Sequence, residues 1–406
     1  MLSVGVIRMK FKRIGIIFLP LLIAALNISI IIFPRESLTA ARDGLLLWSQ
    51  NVLPGILPFV IGANLLMALG GASFLGVLFS PVMKTAFKVP GTGGFALAIG
   101  LMSGYPIGTK VVCEMRTGGQ LSKIEAQRLL AFTSTAGPLF ILGAVSAGMF
   151  GSAPLGYFML TIHYLAALSI GFIMRFYKSR ANKTQNNPND KQYPLHIRAF
   201  MAMETARRKD GRSFGLIFGH CVKNAVETMM VVGGFVILFS VISTILQVSG
   251  AFYALSGAFA PVLHFVGISE MFHVEHLSGM VEMTNGVSML SAHGVSAQTV
   301  ALSVAIISFG GLSILFQSIS FISKTDVSIP IFVACKAAHG VLAGIYAVIL
   351  YPFFANTFET AQAVLVYAPG MAAGLVQSST YFAMMVIILM AVTVGIVAVR
   401  SIRKSR

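Results

Sequence analysis

The chain has 406 residues, 56% of them hydrophobic and 10% charged, where an ordinary soluble chain is about 25% charged. With a mean hydropathy of +0.84 this is the composition of a bilayer protein, and it excludes a soluble globular domain. The net charge of +16 would suit nucleic acid, but Lys and Arg fall in a few gaps between apolar runs, with no basic stripe interleaved with aromatics. Nucleic acid is therefore set aside as a partner, and membrane lipid takes its place.

Arg8, Lys10, Lys12 and Arg13 precede an apolar run of about twenty residues. That is a spanning length, longer than the core of a cleaved signal, so it predicts a retained first helix with its N-terminus in the cytoplasm. Residues 1–45 then comprise this helix and an outer segment. Crossings are predicted at 46–70, 129–150 and 154–176. Between the first two lie a short Pro-marked piece at 73–88, suited to the interface, and a region at 90–128. Residues 178–213 read as a cytoplasmic basic loop, with nine Lys/Arg against Asp190, Glu204 and Asp210. Further crossings follow at 218–247, 297–319 and 328–351, with an interfacial piece at 251–267 and a second region at 269–295. Residues 352–379 carry one charge, Glu359, and read as outer; a last helix at 380–399 returns to a basic cytoplasmic tail. Cys113, Cys221 and Cys335 are scattered and read as small hydrophobes.

The two halves resemble each other. "PFVI" (58–61) matches "GFVI" (234–237), and "FSPVM" (79–83) matches "FAPVL" (259–263). "GLMSGYPIGTKVV" (100–112) falls where the second half has "GMVEMTNGVSMLS" (279–291), and "GPLFIL" (137–142) where it has "GGLSIL" (310–315). The offset stays between 173 and 180 through four ordered matches. The first half runs from outside to the basic loop and the second from that loop to outside, so the halves cross in opposite senses. The expected fold is an all-α polytopic membrane protein of about eight transmembrane helices. It is an inverted repeat (46–177 and 214–352) with two re-entrant hairpins and two broken helices, closed by residues 353–406.

"SGYPIGTK" (103–110) cannot continue a helix, because Pro106 lacks a donor and Gly104 and Gly108 permit unusual dihedrals. Non-helical backbone at membrane depth survives only inside protein or beside a wet cavity. This stretch and "EMTNGVS" (282–288) are read as hairpin tips entering from opposite faces and meeting near the midplane, where half-helix N-termini offer N–H groups to a ligand. "STAGPLF" (134–140) and "SFGGLS" (308–313) break the paired crossings. Around the resulting pocket stand Ser103, Tyr105, Thr109, Lys110, Ser134, Thr135, Glu282, Thr284, Asn285, Ser288, Ser308, Ser313 and Gln317. Glu282 is the ionisable member: it can hold a coupling Na+ or proton, pair with Lys110, or sit solvated in a shallow hairpin. The hydroxyls serve either a ligand or the broken backbone, and Gln317 is the strongest ligand candidate among the helix-break residues. Asn64 and Ser240 read as interhelical hydrogen bonders.

"FHVEHLS" (272–278) lacks zinc-protease spacing, and "GTGGFALAIG" (91–100) has no βαβ context. His163 and His339 lie inside crossings and read as packing residues, with proton relay the alternative. No catalytic pair has a defensible spacing, so no enzyme activity and no cofactor are expected.

"SGYPIGTK", "EMTNG" and "FGGLSIL" together resemble the YlbJ (SpoVV) family of sporulation integral membrane proteins, of the nucleoside-recognition Gate-domain group related to concentrative nucleoside transporters. The resemblance covers nearly the whole chain. It implies a repeat built of an interfacial helix, a re-entrant hairpin and a broken helix. It also implies a role in spore cortex formation, and transport of dipicolinic acid from the mother cell across the outer forespore membrane. Such a small planar dicarboxylate suits half-helix N-termini and Lys110. One departure stands at the second break, where the family pattern "GGLSIHAQ" becomes "GGLSILFQ", so that Leu315 and Phe316 make the pocket more apolar. Nucleoside specificity is not supported, and a homo-oligomer is compatible with the pattern. The alternative function is a non-transporting membrane factor that recruits cortex-assembly proteins through its basic loop.

Overall fold

The computed structural model describes residues 20–178 and 193–355, and these are helical throughout, without strands. The whole N-terminal basic run, residues 179–192 of the basic loop, the outer segment beyond 355, the last helix at 380–399 and the tail lie outside the described residues.

Helix α1 (Pro20–Ile32) meets the segment Pro34–Gln50 at 104°. Pro34 lacks the N–H that would continue the turn, so the chain bends there. The stretch expected as an outer segment is thus helix α2 (Pro34–Leu47). A π turn (Trp48–Val52) leads into α3 (Leu53–Ala68). Gly70, in the left-handed region at φ +91°, turns the chain into the short α4 (Gly71–Leu78), followed by α5 (Ser80–Val82) and a π turn (Met83–Phe87).

The two regions of interest are hairpins. Helices α6 (Gly93–Ser103) and α7 (Ile107–Thr117) fold back on each other around Gly104 (φ +77°) and the cis Tyr105–Pro106 bond. Helix α8 (Lys123–Thr133) opens with a capping box at Ser122, unwinds over 134–137, and resumes as a π-wound segment (Leu139–Met149) before α9 (Ala153–Met174).

The basic loop is not all loop. Residues 195–210 form α10 (Leu195–Asp210), which packs on α4 through Phe200 against Phe74, at 5.1 Å between ring centroids. Charge counting hid it: Leu195, Ile197, Phe200, Met201 and Met203 supply apolar residues to a helix that also carries Arg198, Arg207, Arg208 and Lys209.

The second half repeats the order: α11 (Phe214–Val248), α12 (Ala251–Phe265), the hairpin α13 (His273–Val281) and α14 (Met283–Ser291), α15 (Ala297–Phe309), α16 (Gly311–Ile322) and α17 (Ile329–Leu350). Helix α15 also begins with a capping box, at Ser296, and breaks at Gly310 and Gly311, both at positive φ. Among the described residues four helices are long and apolar enough to span, or up to six when each bent pair counts as one, so the eight crossings are not reached there.

Inversion is visible in which ends meet. Arg116, at the base of the first hairpin, makes a two-pronged ion pair with Asp326 between α16 and α17, both bonds 2.9 Å. Gln127 of α8 exchanges hydrogen bonds with Ser328 at the start of α17. Helix α8 therefore starts at the end where α16 finishes. Helix α15 starts at the other end, where Gln298 reaches Ser269 and Gly267 beyond α12. Three contacts join residues about one repeat length apart: Tyr105 to Met283, Ser169 to Tyr346 and His339 to His163, separated by 178, 177 and 176 positions.

The apolar interior forms two main clusters, and the repeats interlock in them. Leu315 and Ile322 of α16 pack among Val111, Met115 and Leu129 of the first repeat, while Ile141 and Val145 pack among Val287, Val304 and Ile306 of the second.

Candidate functional site

Both helix breaks and the first hairpin tip converge on one buried layer. Leaving the helix frees main-chain groups, and several of them find specific partners. Thr135 carbonyl accepts from Tyr105 N–H at 2.6 Å, and Thr135 Oγ1 donates to Gly100 carbonyl at 3.0 Å. Ala136 N–H donates to His163 Nε2 at 2.8 Å. The other ring nitrogen of His163 lies 2.7 Å from Ser308 Oγ at the second break. Tyr105 hydroxyl donates to Ile307 carbonyl at 3.0 Å and contacts Met283 sulfur at 2.9 Å. The expected meeting of the two tips is present, made by Tyr105 and Met283.

Lys336 of α17 is 0% exposed. Its ammonium donates to Ser134 carbonyl at 2.9 Å and lies 5.3 Å from the centre of the Tyr105 ring. A buried charge is costly unless compensated, by several kcal/mol even after relaxation, so a lysine kept here points to function. Sequence reasoning missed it. The signal was present, since Lys336 is the one Asp, Glu, Lys or Arg in the 22 residues of α17, but averaging over an apolar span hides a single charge. His339, one turn on, is also fully buried, its ring centroid 4.8 Å from that of His163 with the planes tilted by 30°.

The other named residues fall into separate groups. Ser103 turns back to its own helix at Ile99 carbonyl. Thr109 and Lys110 lie buried further along α7. Lys110 does not pair with Glu282; its ammonium meets Asn224 of α11 at 3.3 Å and Glu114 at 3.6 Å, one turn away on its own helix. Glu282 caps α14, taking the Asn285 N–H at 2.8 Å, with Thr284 also hydrogen-bonded to it. Its carboxylate thus occupies an N–H expected to be offered to a ligand. Asn285 and Ser288 are exposed, and Asn285 amide donates to Ser243 of α11 at 3.2 Å. Ser313 and Gln317 lie buried on α16, which packs against α7, bonded to each other at 3.3 Å. Buried polar atoms without a partner among the described residues include Thr109 Oγ1, Ser134 Oγ, Gln317 Oε1 and His339 Nδ1. Asn64 amide reaches Cys221 carbonyl at 3.3 Å, the interhelical bond expected of it. At the altered family position, Leu315 is buried and Phe316 exposed.

Fold and site together define a polytopic α-helical membrane protein whose inverted halves meet at two helix breaks and two hairpin tips. No family model matches the chain. A curated relative, the sporulation integral membrane protein YlbJ of Bacillus subtilis (strain 168), is 35% identical over 344 residues, 84% of each chain. The chain belongs to the YlbJ family of sporulation integral membrane proteins. Solved structures of CNTnw variants are also similar. One in an outward-facing state has a TM-score of 0.40 at 15% identity, covering 81% of this chain and 86% of that one. One in an intermediate 1 state has a TM-score of 0.39 at 13% identity, covering 83% and 87%.

Proposed function

We propose that this protein is a secondary transporter of a small organic dianion in endospore formation. Its substrate in this reading is dipicolinic acid, moved across the outer forespore membrane for cortex maturation, with both chain termini cytoplasmic. The observation that carries the reading is the buried layer in which both helix breaks, the Tyr105 tip and the Lys336 ammonium meet. Such a layer offers unwound main chain and a positive charge, features with which carriers bind substrate, and a carboxylate entering it would neutralise Lys336.

Purified full-length protein in lipid vesicles should take up labelled dipicolinate, and Lys336→Met should lower that uptake more than tenfold in protein that remains monodisperse. Absence of uptake by the wild type, in vesicles where the protein is inserted and folded, overturns the proposal.

The recruiting-factor alternative draws on Arg207, Arg208 and Lys209 at the end of α10, the last two exposed. Because α10 packs on α4, deleting this region would damage the fold; charge neutralisation of those three residues separates the readings. Sporulation lost in that variant with dipicolinate uptake intact favours recruitment.

A further inference from the structure

The hydrogen bonds of His163 fix where its proton is. Ala136 N–H can only donate, so Nε2 accepts with a free lone pair at 2.8 Å. Nδ1 then carries the ring proton and donates to Ser308 Oγ at 2.7 Å. The imidazole is neutral in this conformation, because a second proton on Nε2 would set two N–H donors against each other. His339 Nε2 donates to His163 carbonyl at 3.0 Å, which leaves its buried Nδ1 as an unpartnered acceptor among the described residues. Lys336, three residues before His339 on the same helix face, holds Ser134 carbonyl at 2.9 Å. The main chain on both sides of Thr135 is thus pinned by this one cluster, and His163 also holds the second break.

We propose that His163, His339 and Lys336 form a proton-binding site, and that the coupling ion of the carrier is a proton whose binding releases the first helix break. The coupling rests on the transport reading; the proton site does not. A proton adds to His163 Nε2, forming one N–H bond; Ala136 N–H loses its acceptor and residues 134–137 move away, while Nδ1–H stays on Ser308. By linkage, whatever opens the break raises the proton affinity of His163 equally. The ionisable groups facing the cluster are Cys335 on α17, Tyr164 on α9, Tyr105 at the first tip and, beyond Tyr105, Glu282 on α14. At this level α8 and α15 bring the main chain of the first break and the hydroxyl of Ser308.

Hydrogen–deuterium exchange of the full chain in lipid nanodiscs tests the site without any substrate. Protection of the peptide spanning 134–141, corrected for the intrinsic pH dependence of exchange, should fall roughly tenfold per pH unit below about 6.5. In His163→Gln, whose amide can accept from Ala136 and donate to Ser308 without titrating, protection should be flat between pH 8 and 5. In Lys336→Met, which removes a neighbouring positive charge, the pH response should persist with its midpoint at higher pH. A flat wild-type profile, or a slope retained in His163→Gln, overturns the inference. In vesicles loaded with a pH-sensitive dye, dipicolinate uptake should move protons, and His163→Gln should abolish that movement. Uptake without proton movement overturns the coupling and leaves transport standing. No uptake, with the exchange response present, overturns transport and leaves the proton site standing.

Discussion

Lys336 and a few glycines carry consequences that single substitutions expose. Methionine nearly matches the lysine stem in volume and removes a charge whose burial costs several kcal/mol. Lys336→Met should therefore unfold in detergent at the same temperature as the wild type or higher, separating function from stability. Gly108 tells the opposite story. A Cβ there would collide with Thr133 carbonyl and with Gly100 across the hairpin. Gly108→Ala should cost about 1–3 kcal/mol, read as a lowered unfolding temperature. Gly62, within α3, has nothing within 4 Å of an added Cβ; Gly62→Ala should stabilise by up to about 1 kcal/mol through helix propensity.

Between elements, the two-pronged bond from Arg116 to Asp326 ties the base of the first hairpin to the turn between α16 and α17. The Arg116 hydrogen bond holds the Asp326 carboxyl below the ordinary aspartate range. A lowered value means the stabilisation is present above the unfolded-state pKa and is lost as pH falls through the folded one. Both side chains are partly exposed, 28% and 47%, so the pair contributes about 0.2–1 kcal/mol. A double-mutant cycle with Arg116→Gln and Asp326→Asn should recover that coupling at neutral pH and lose it at strongly acid pH. The packing of α10 is tested at Ala199, which is fully buried. Ala199→Leu should overpack the contact by about 1–3 kcal/mol and speed tryptic cleavage at Arg207 and Arg208.

Over the whole molecule, the repeats share their interiors: each broken helix starts in one apolar cluster and ends in the other. Neither half can bury its apolar surface alone, so the two should unfold as one unit. The inverted arrangement puts the bases of the two hairpins on opposite sides. In a cysteine-free background, thiols at Gln120 and Ala292, both exposed, should be labelled by a membrane-impermeant reagent from opposite faces. Labelling of both from one face contradicts the arrangement.

Composition, the ordered matches between halves and the Gly/Pro punctuation at 104–108, 137–138 and 310–311 were enough to determine an inverted helical repeat with two tips and two breaks. Helix breaking and hydropathy are local properties, written in neighbouring residues. The partners of the unwound main chain were decided only by the tertiary structure. Glu282, for which a coupling ion, Lys110 and solvent were all open as partners, proved to be a helix cap, and Lys336 reached Ser134 from 202 positions away. His163 and His339 became a contacting pair at the meeting of the halves. Hydrogen bonds and charges act across space, and which distant residues become neighbours is set by how two interlocked halves fill their shared interior.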